Sequence, residues 1–198
     1  MERPPWTGPA MEGIGMDQRG LDQHGYTKQK FPASAGVFLG LGLGGGAEAI
    51  VMHQLLQWHH VLSSAGSGAA PPPALRGVLL WDGVFHACTY LFLLAGLAIL
   101  WRAARRAHLP WDGRPLAGTI LFGAGLFAVV EGLLSHHILK IHHVNETVPM
   151  AQWIYWDLGF LLSGAAVLTA GRWLWTAGPG RLWKERRRDQ RLRLRYRL

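Results

Sequence analysis

AEAIVMHQLLQWHHV, from Ala47 to Val61, and VEGLLSHHILKIHHV, from Val130 to Val144, align on each other without a gap. The pairing sets Glu48 on Glu131, His53 on His136, Leu56 on Leu139, His59 on His142 and His60 on His143. Upstream, Gly40 and Gly42 match Gly123 and Gly125. Further on, Trp81, Asp82 and Phe85 correspond to Trp156, Asp157 and Phe160, and Ala95-Gly96 to Ala170-Gly171. Each copy is an apolar segment that ends in acid and histidine, followed by a second apolar segment that opens on Trp-Asp. Self-similarity of this kind identifies the unit to be placed, which here is a helix pair used twice.

Around these blocks the chain is apolar. It has 198 residues, 49% hydrophobic and 16% charged, with 26 Gly, which excludes an ordinary soluble domain and a disordered chain. The apolar residues bunch at about 35–62, 77–101, 116–143 and 152–175. Each stretch is long enough for a hydrocarbon core that needs about 20 residues of helix. Because the repeated unit holds two spans, its copies enter the membrane in the same direction, with the symmetry axis along the membrane normal. The expected fold is all-α: an integral membrane four-helix bundle built from two parallel two-helix repeats. Residues 31–176 form it, between a polar, flexible N-terminal stretch 1–30 and a basic tail 177–198. Gly36, Gly40 and Gly44 in span one and Gly123 and Gly125 in span three offer small surfaces for close helix contact in lipid. Cys88 is the sole cysteine, so there is no disulfide framework.

The net charge of +8 sits mostly in the tail, RLWKERRRDQRLRLRYRL, from Arg181 to Leu198. A basic tail directly after a span reads as a positive-inside determinant that touches anionic lipid, and not as a nucleic-acid site. Lys28, Lys30, Arg102, Arg105, Arg106 and Arg114 fall on the same side by this count, so both termini are expected in the cytoplasm of a bacterial inner-membrane protein. Span one then serves as an uncleaved anchor. Trp58, Trp81, Trp153 and Trp156 are expected in the outer aromatic belt, and Trp101, Trp173 and Trp175 in the inner one.

The repeats place ionisable groups inside the membrane. Glu48 and Glu131 fall near mid-span, where an ionised acid costs about 2.5 to 3.5 kcal/mol without a partner. His53 and His136 lie one to three turns outward, and His59-His60 and His142-His143 lie near the outer interface. Span two returns with Asp82 at the outer surface and His86 one turn deeper, at the depth of His53 and His136; Leu161 holds the corresponding place in span four. On a straight helix, at roughly 100° per residue, His53, Gln57 and His60 form one stripe and Glu48, Met52, Leu55 and His59 another. The two stripes then face different neighbours, unless the Gly44–Gly46 run permits a local rewinding.

The expected metal ligands are His53, His86 and His136 with Glu48 and Glu131, joined by His60, His143 and Asp82. Since only span two adds a histidine at that depth, the sharpest expectation is a three-His site of His53, His86 and His136, displaced towards span two. His59 and His142 weigh equally as amphipathic rings at the interface. Imidazole and carboxylate suit Zn, Fe, Cu or Mn, and spacing alone does not choose among them. A b-type haem held between His53 and His136 is the alternative cofactor.

The blocks AIVMHQLLQWHHV, WDGVFHA, VEGLLSHHILKIHHV and WDLGF resemble those of bacterial predicted four-span membrane proteins, domain of unknown function family number 2243. The resemblance covers roughly residues 36–176 and implies the four-span fold and the membrane location. Family members commonly carry Asp-Gly where this chain has Glu48-Ala49, which keeps the acid. They commonly carry Asp where this chain has Ser135, which shifts weight to Glu131.

The function expected on these grounds is an outward-facing His/Glu metal site used in copper or other transition-metal handling, or in assembly of a respiratory metalloenzyme. The partners are then the bilayer and either a second copy or a membrane metalloenzyme. Three alternatives stand beside it: a membrane non-haem iron oxidoreductase, whose histidine boxes have other spacings, a b-type haem protein, and a proton-coupled transporter using Glu48 and Glu131. No CxxC or HExxH motif is present.

Overall fold

A computed structural model describes residues 31–65, 75–105 and 113–176; the stretches 1–30 and 177–198, with their expected character, lie outside the described residues. Four helices carry the fold: α1 (Ala33–Glu48), α2 (Leu75–Ala104), α3 (Gly113–Glu131) and α4 (Trp153–Thr176). α1 runs on into a π-wound segment, Ala49–Leu55, and α3 into another, Gly132–Ile138. No strand occurs among the described residues. With their π-wound extensions counted, the four helical spans, Ala33–Leu55, Arg76–Ala104, Gly113–Ile138 and Met150–Thr176, are long and apolar enough to cross a membrane.

Lipid explains why so glycine-rich a segment as α1 is helical. In water each interior Gly costs about 1 kcal/mol of helix stability relative to Ala. In hydrocarbon every backbone polar group must be paired within the segment, and that requirement overrides propensity. The glycines are then spent on closeness. A Cβ on Gly40 would run into the Ile120 carbonyl and the Gly123 backbone, and one on Gly171 into the backbone of Phe122 and Gly118. The close helix pairs are α1–α3, α1–α2 and α3–α4, so α1 and α3 form the inner pair and α2 and α4 flank it.

Burial runs opposite to that of a soluble protein. Buried apolar residues are few, among them Ala35, Leu39 and Ala49, while His53, His59, Asp82, His136, His142 and Asp157 are all buried. Leu80, Tyr90, Leu91, Leu94, Trp101, Leu162 and Trp173 face outward. An apolar exterior around a polar interior is the distribution that a bilayer solvent selects.

The inner helices stop short of the expected ends at 62 and 143. α-Helix gives way to π-winding after Glu48 in α1 and after its counterpart Glu131 in α3. Leu56 N–H donates to Val51 O at 2.8 Å and Leu139 N–H to Leu134 O at 2.7 Å, the five-residue spacing of a π-helix. Gln57 and Lys140 then take a left-handed backbone, each with φ 50°. Trp58 N–H closes on Met52 O and Ile141 N–H on Ser135 O, a Schellman-like end widened by one residue. Beyond these ends the chain folds back, and the two returning segments join through Ser64 N–H to Ile141 O (3.0 Å) and Glu146 N–H to Trp58 O (3.0 Å).

Candidate metal centre

π-Winding decides which side chains meet. Residues five apart share a face when hydrogen bonds span five residues, so Glu48 and His53 project together, as do Glu131 and His136. His53 Nε2 lies 3.4 Å from Glu48 Oε1, and His136 Nε2 3.2 Å from Glu131 Oε1. The folded-back segments deliver one more histidine to each carboxylate: His59 Nε2 is 3.0 Å from Glu48 Oε1, and His142 Nε2 is 2.8 Å from Glu131 Oε1. Two groups result, Glu48–His53–His59 and Glu131–His136–His142, and within each the ligand atoms lie within 4.8 Å of one another.

Further contacts orient these rings. His59 Nδ1 donates to Val144 O at 2.8 Å, and His142 Nδ1 to Val61 O at 3.0 Å, so each half holds the other's histidine. The His59 and His142 rings stack at 4.6 Å between centroids, 5° from parallel. His53 Nδ1 faces Asp82 Oδ1 at 3.4 Å, and His136 Nδ1 faces Asp157 Oδ1 at 3.6 Å. Asp82 is fixed by His60 Nδ1 (2.5 Å) and Val61 N–H (2.9 Å), and Asp157 by His143 Nδ1 (2.7 Å) and Val144 N–H (3.0 Å).

The electrostatics of this arrangement are unfinished. A backbone carbonyl only accepts, so His59 carries its proton on Nδ1, and in the neutral ring Nε2 then points a lone pair at a carboxylate oxygen. His142 repeats the clash. Both nitrogens of His53 and of His136 are buried without a hydrogen-bond partner. A proton or a cation between each imidazole pair and its glutamate removes the conflict. A tetrahedral ion with bonds of about 2.0 to 2.1 Å spaces its ligands about 3.4 Å apart, close to the observed spacings.

The expected residues therefore divide. Glu48 with His53, and Glu131 with His136, come together, but in two groups and not one. His60, His143 and Asp82 stand around those groups: His60 holds Asp82, which faces His53, and His143 holds Asp157, which faces His136. His86 stands outside both: its Nδ1 donates to Asp82 O at 2.7 Å, and its Nε2 lies 3.2 Å from Gln54 Nε2. His53, His86 and His136 do not converge, because depth counted along straight helices ignored the end at Leu55 and the fold-back beyond it. That fold-back draws in His59, 3% exposed, and His142, 4% exposed, which reading as interfacial rings undervalued. Asp157, which is not among the expected ligands, stands to His136 and His143 as Asp82 stands to His53 and His60. The available signal was the repeat itself, which matches His59 with His142 and Asp82 with Asp157 as strictly as it matches the chosen ligands.

A family model described as a predicted membrane protein, DUF2243, matches residues 35–178. The chain belongs to that family. No curated protein and no solved structure gives a significant match.

Proposed function

We propose that the protein binds two transition-metal ions, one in each His–His–Glu group, and serves in metal handling on the outer side of the bacterial inner membrane. The observation that carries this reading is the fixed orientation of His59 and His142: each is held through Nδ1 by a backbone carbonyl and directs Nε2 at a glutamate oxygen. Metal-bound histidines characteristically donate their other ring N–H to a carbonyl or carboxylate. Val144 O and Val61 O play that part for His59 and His142, while Asp82 and Asp157 face the second nitrogen of His53 and of His136 at 3.4 and 3.6 Å, without a hydrogen bond. Three protein ligands leave a coordination position open, which suits an ion that must be received and passed on. A membrane metalloenzyme is the recipient this role implies. Nitrogen and oxygen donors suit Zn, Fe or Cu(II), and no thiolate draws the choice towards Cu(I). The matched contacts in the two halves support descent from one duplicated helix pair.

A haem between His53 and His136 is disfavoured. Ring contacts run from His53 to His59 at 4.8 Å, His59 to His142 at 4.6 Å and His142 to His136 at 4.9 Å, so imidazoles fill the space a porphyrin would need. One observation favours a second reading, a non-haem iron oxidoreductase. A largely apolar cavity of about 170 Å³, bordered by Gly44, Ala124, Phe127, Phe160 and Gly164, reaches Glu48 and would admit a small apolar molecule such as dioxygen.

Purified protein in detergent separates these readings by elemental analysis and an optical spectrum. Metal handling predicts two ions per chain, no Soret band and no oxygen uptake by the iron-loaded protein. Oxygen uptake with iron selects the second reading. Protein that takes up none of Zn, Cu or Fe contradicts both.

A further inference from the structure

The two metal groups are matched, but their surroundings are not. Beside the first lies an open cavity of about 510 Å³ between the π-wound end of α1 and the start of α2, bordered by Gln54, Gln57, His60, Asp82, Gly83 and His86. His53 also borders it, and both nitrogens of that buried ring lack a hydrogen-bond partner. In the second half the corresponding positions hold His137 for Gln54, Lys140 for Gln57, Leu158 for Gly83 and Leu161 for His86, and His137 is turned to Gly132 O through Nδ1. The replacements put bulk where there was space and a positive charge where there was an amide. The cavity thus has a lining that the second half does not repeat, and it begins one ring away from a metal group.

We propose that this cavity is a receiving site for a hydrated divalent transition-metal ion, which His86, Asp82 and His60 hold before it passes to the Glu48–His53–His59 group. Its chemistry selects a cation. Its ionisable lining is one carboxylate and imidazoles, with no Lys or Arg. His86 is preset as a ligand: Nδ1 donates to Asp82 O, so Nε2 carries the lone pair, which accepts from the Gln54 amide at 3.2 Å, a contact that a metal ion can displace. Asp82 Oδ2 is held by His60, while Oδ1 lies 3.4 Å from His53 Nδ1, so one carboxylate spans the cavity and the inner ring. Space suffices, since six waters at about 30 Å³ each occupy about 180 Å³. Ligand exchange along His86, Asp82 and His53 lets the ion shed water stepwise instead of crossing apolar surface with its full shell. This inference rests on the metal-handling reading and adds to it a route that serves only one of the two groups.

The test is the rate of cobalt(II) uptake by metal-free protein in detergent, followed by the visible absorption that rises when imidazole and carboxylate replace water. A Glu131→Gln background leaves the first group to load, and a Glu48→Gln background leaves the second. Gly83→Leu plugs the cavity without touching a ligand, and the fold accommodates it because a Cβ there meets nothing within 4 Å. His86→Leu removes the receiving imidazole and copies the second half. Each variant is expected to slow loading of the first group roughly tenfold, with the final cobalt per chain unchanged and loading of the second group unaffected. Either variant loading the first group at the parental rate overturns the receiving site while leaving the metal groups standing. A parental protein that takes up no cobalt overturns the metal-handling reading, and this inference with it.

Discussion

His59 and His53 meet the same glutamate oxygen but are held differently, and that difference sets what substitutions should do. His59→Ala removes a proposed ligand whose geometry is fixed by the other half of the molecule through Val144 O. It should reduce bound metal from two ions per chain to one, with His142→Ala doing the same from the other side. Equal metal content in His59→Ala and the parent would remove His59 from the ligand set. Asp82→Asn leaves every ligand in place and alters only what faces His53 Nδ1 and fixes His60. Substitutions that disturb such supporting groups weaken metal binding about 10- to 100-fold, and titration of a Glu131→Gln protein would measure this at the first group alone. At this scale it was legible that Glu48, His53, Glu131 and His136 are ionisable residues inside the spans that need partners, but not that Glu48 meets His53 or Glu131 meets His136, since a straight helix turns them apart. Counting depth along a straight helix looked to span two for a further histidine, whereas the one that joins His53 at Glu48 is His59, from the same repeat block, six residues on and beyond a helix end.

The helix ends are where local backbone chemistry and the metal groups meet. Gln57 and Lys140 are the non-glycine residues with positive φ among those described, and they occupy equivalent places after the two π-wound segments. A side chain in that conformation costs roughly 1 to 2 kcal/mol, and strain of this kind persists where the surroundings over-determine it. Lys140→Gly should relieve it. Allowing for the greater freedom of Gly in the unfolded chain, the net gain is up to about 1 kcal/mol, read as a raised unfolding midpoint with metal content unchanged. A lowered midpoint would show that the Lys140 side chain itself stabilises the end. The Gly44–Gly46 run is itself α-helical, and the rewinding lies beyond it at Ala49–Leu55. α3 rewinds at the equivalent place with Phe127, Ala128 and Val129 where α1 has that run, so the glycines are not its cause and π-winding has no short-range signature there. It is set by which hydrogen bonds the assembled ends can make.

Across the whole molecule, the four spans and their pairing were the most legible features, because a bilayer demands long apolar helices and the repeat marks them twice. The close contact of α1 with α3 was foreshadowed by Gly40 and Gly123, each of which packs against the other's helix backbone. The cross-connection of the two halves was not, because it runs through backbone carbonyls, which carry no sequence signal. A reporter fused after Leu198 should be active only on the cytoplasmic side, as the Lys/Arg distribution expects; activity confined to the other side would reverse the orientation. The central claim is that each half of the molecule supplies one complete metal group, and its most direct measurement is metal per chain. Elemental analysis of the purified protein after saturation with zinc and removal of free metal should give two ions, falling to one in Glu48→Gln and in Glu131→Gln and to none in the double variant. One ion in the parent that disappears in either single variant would contradict the account, because it would mean that the two glutamates share a single site.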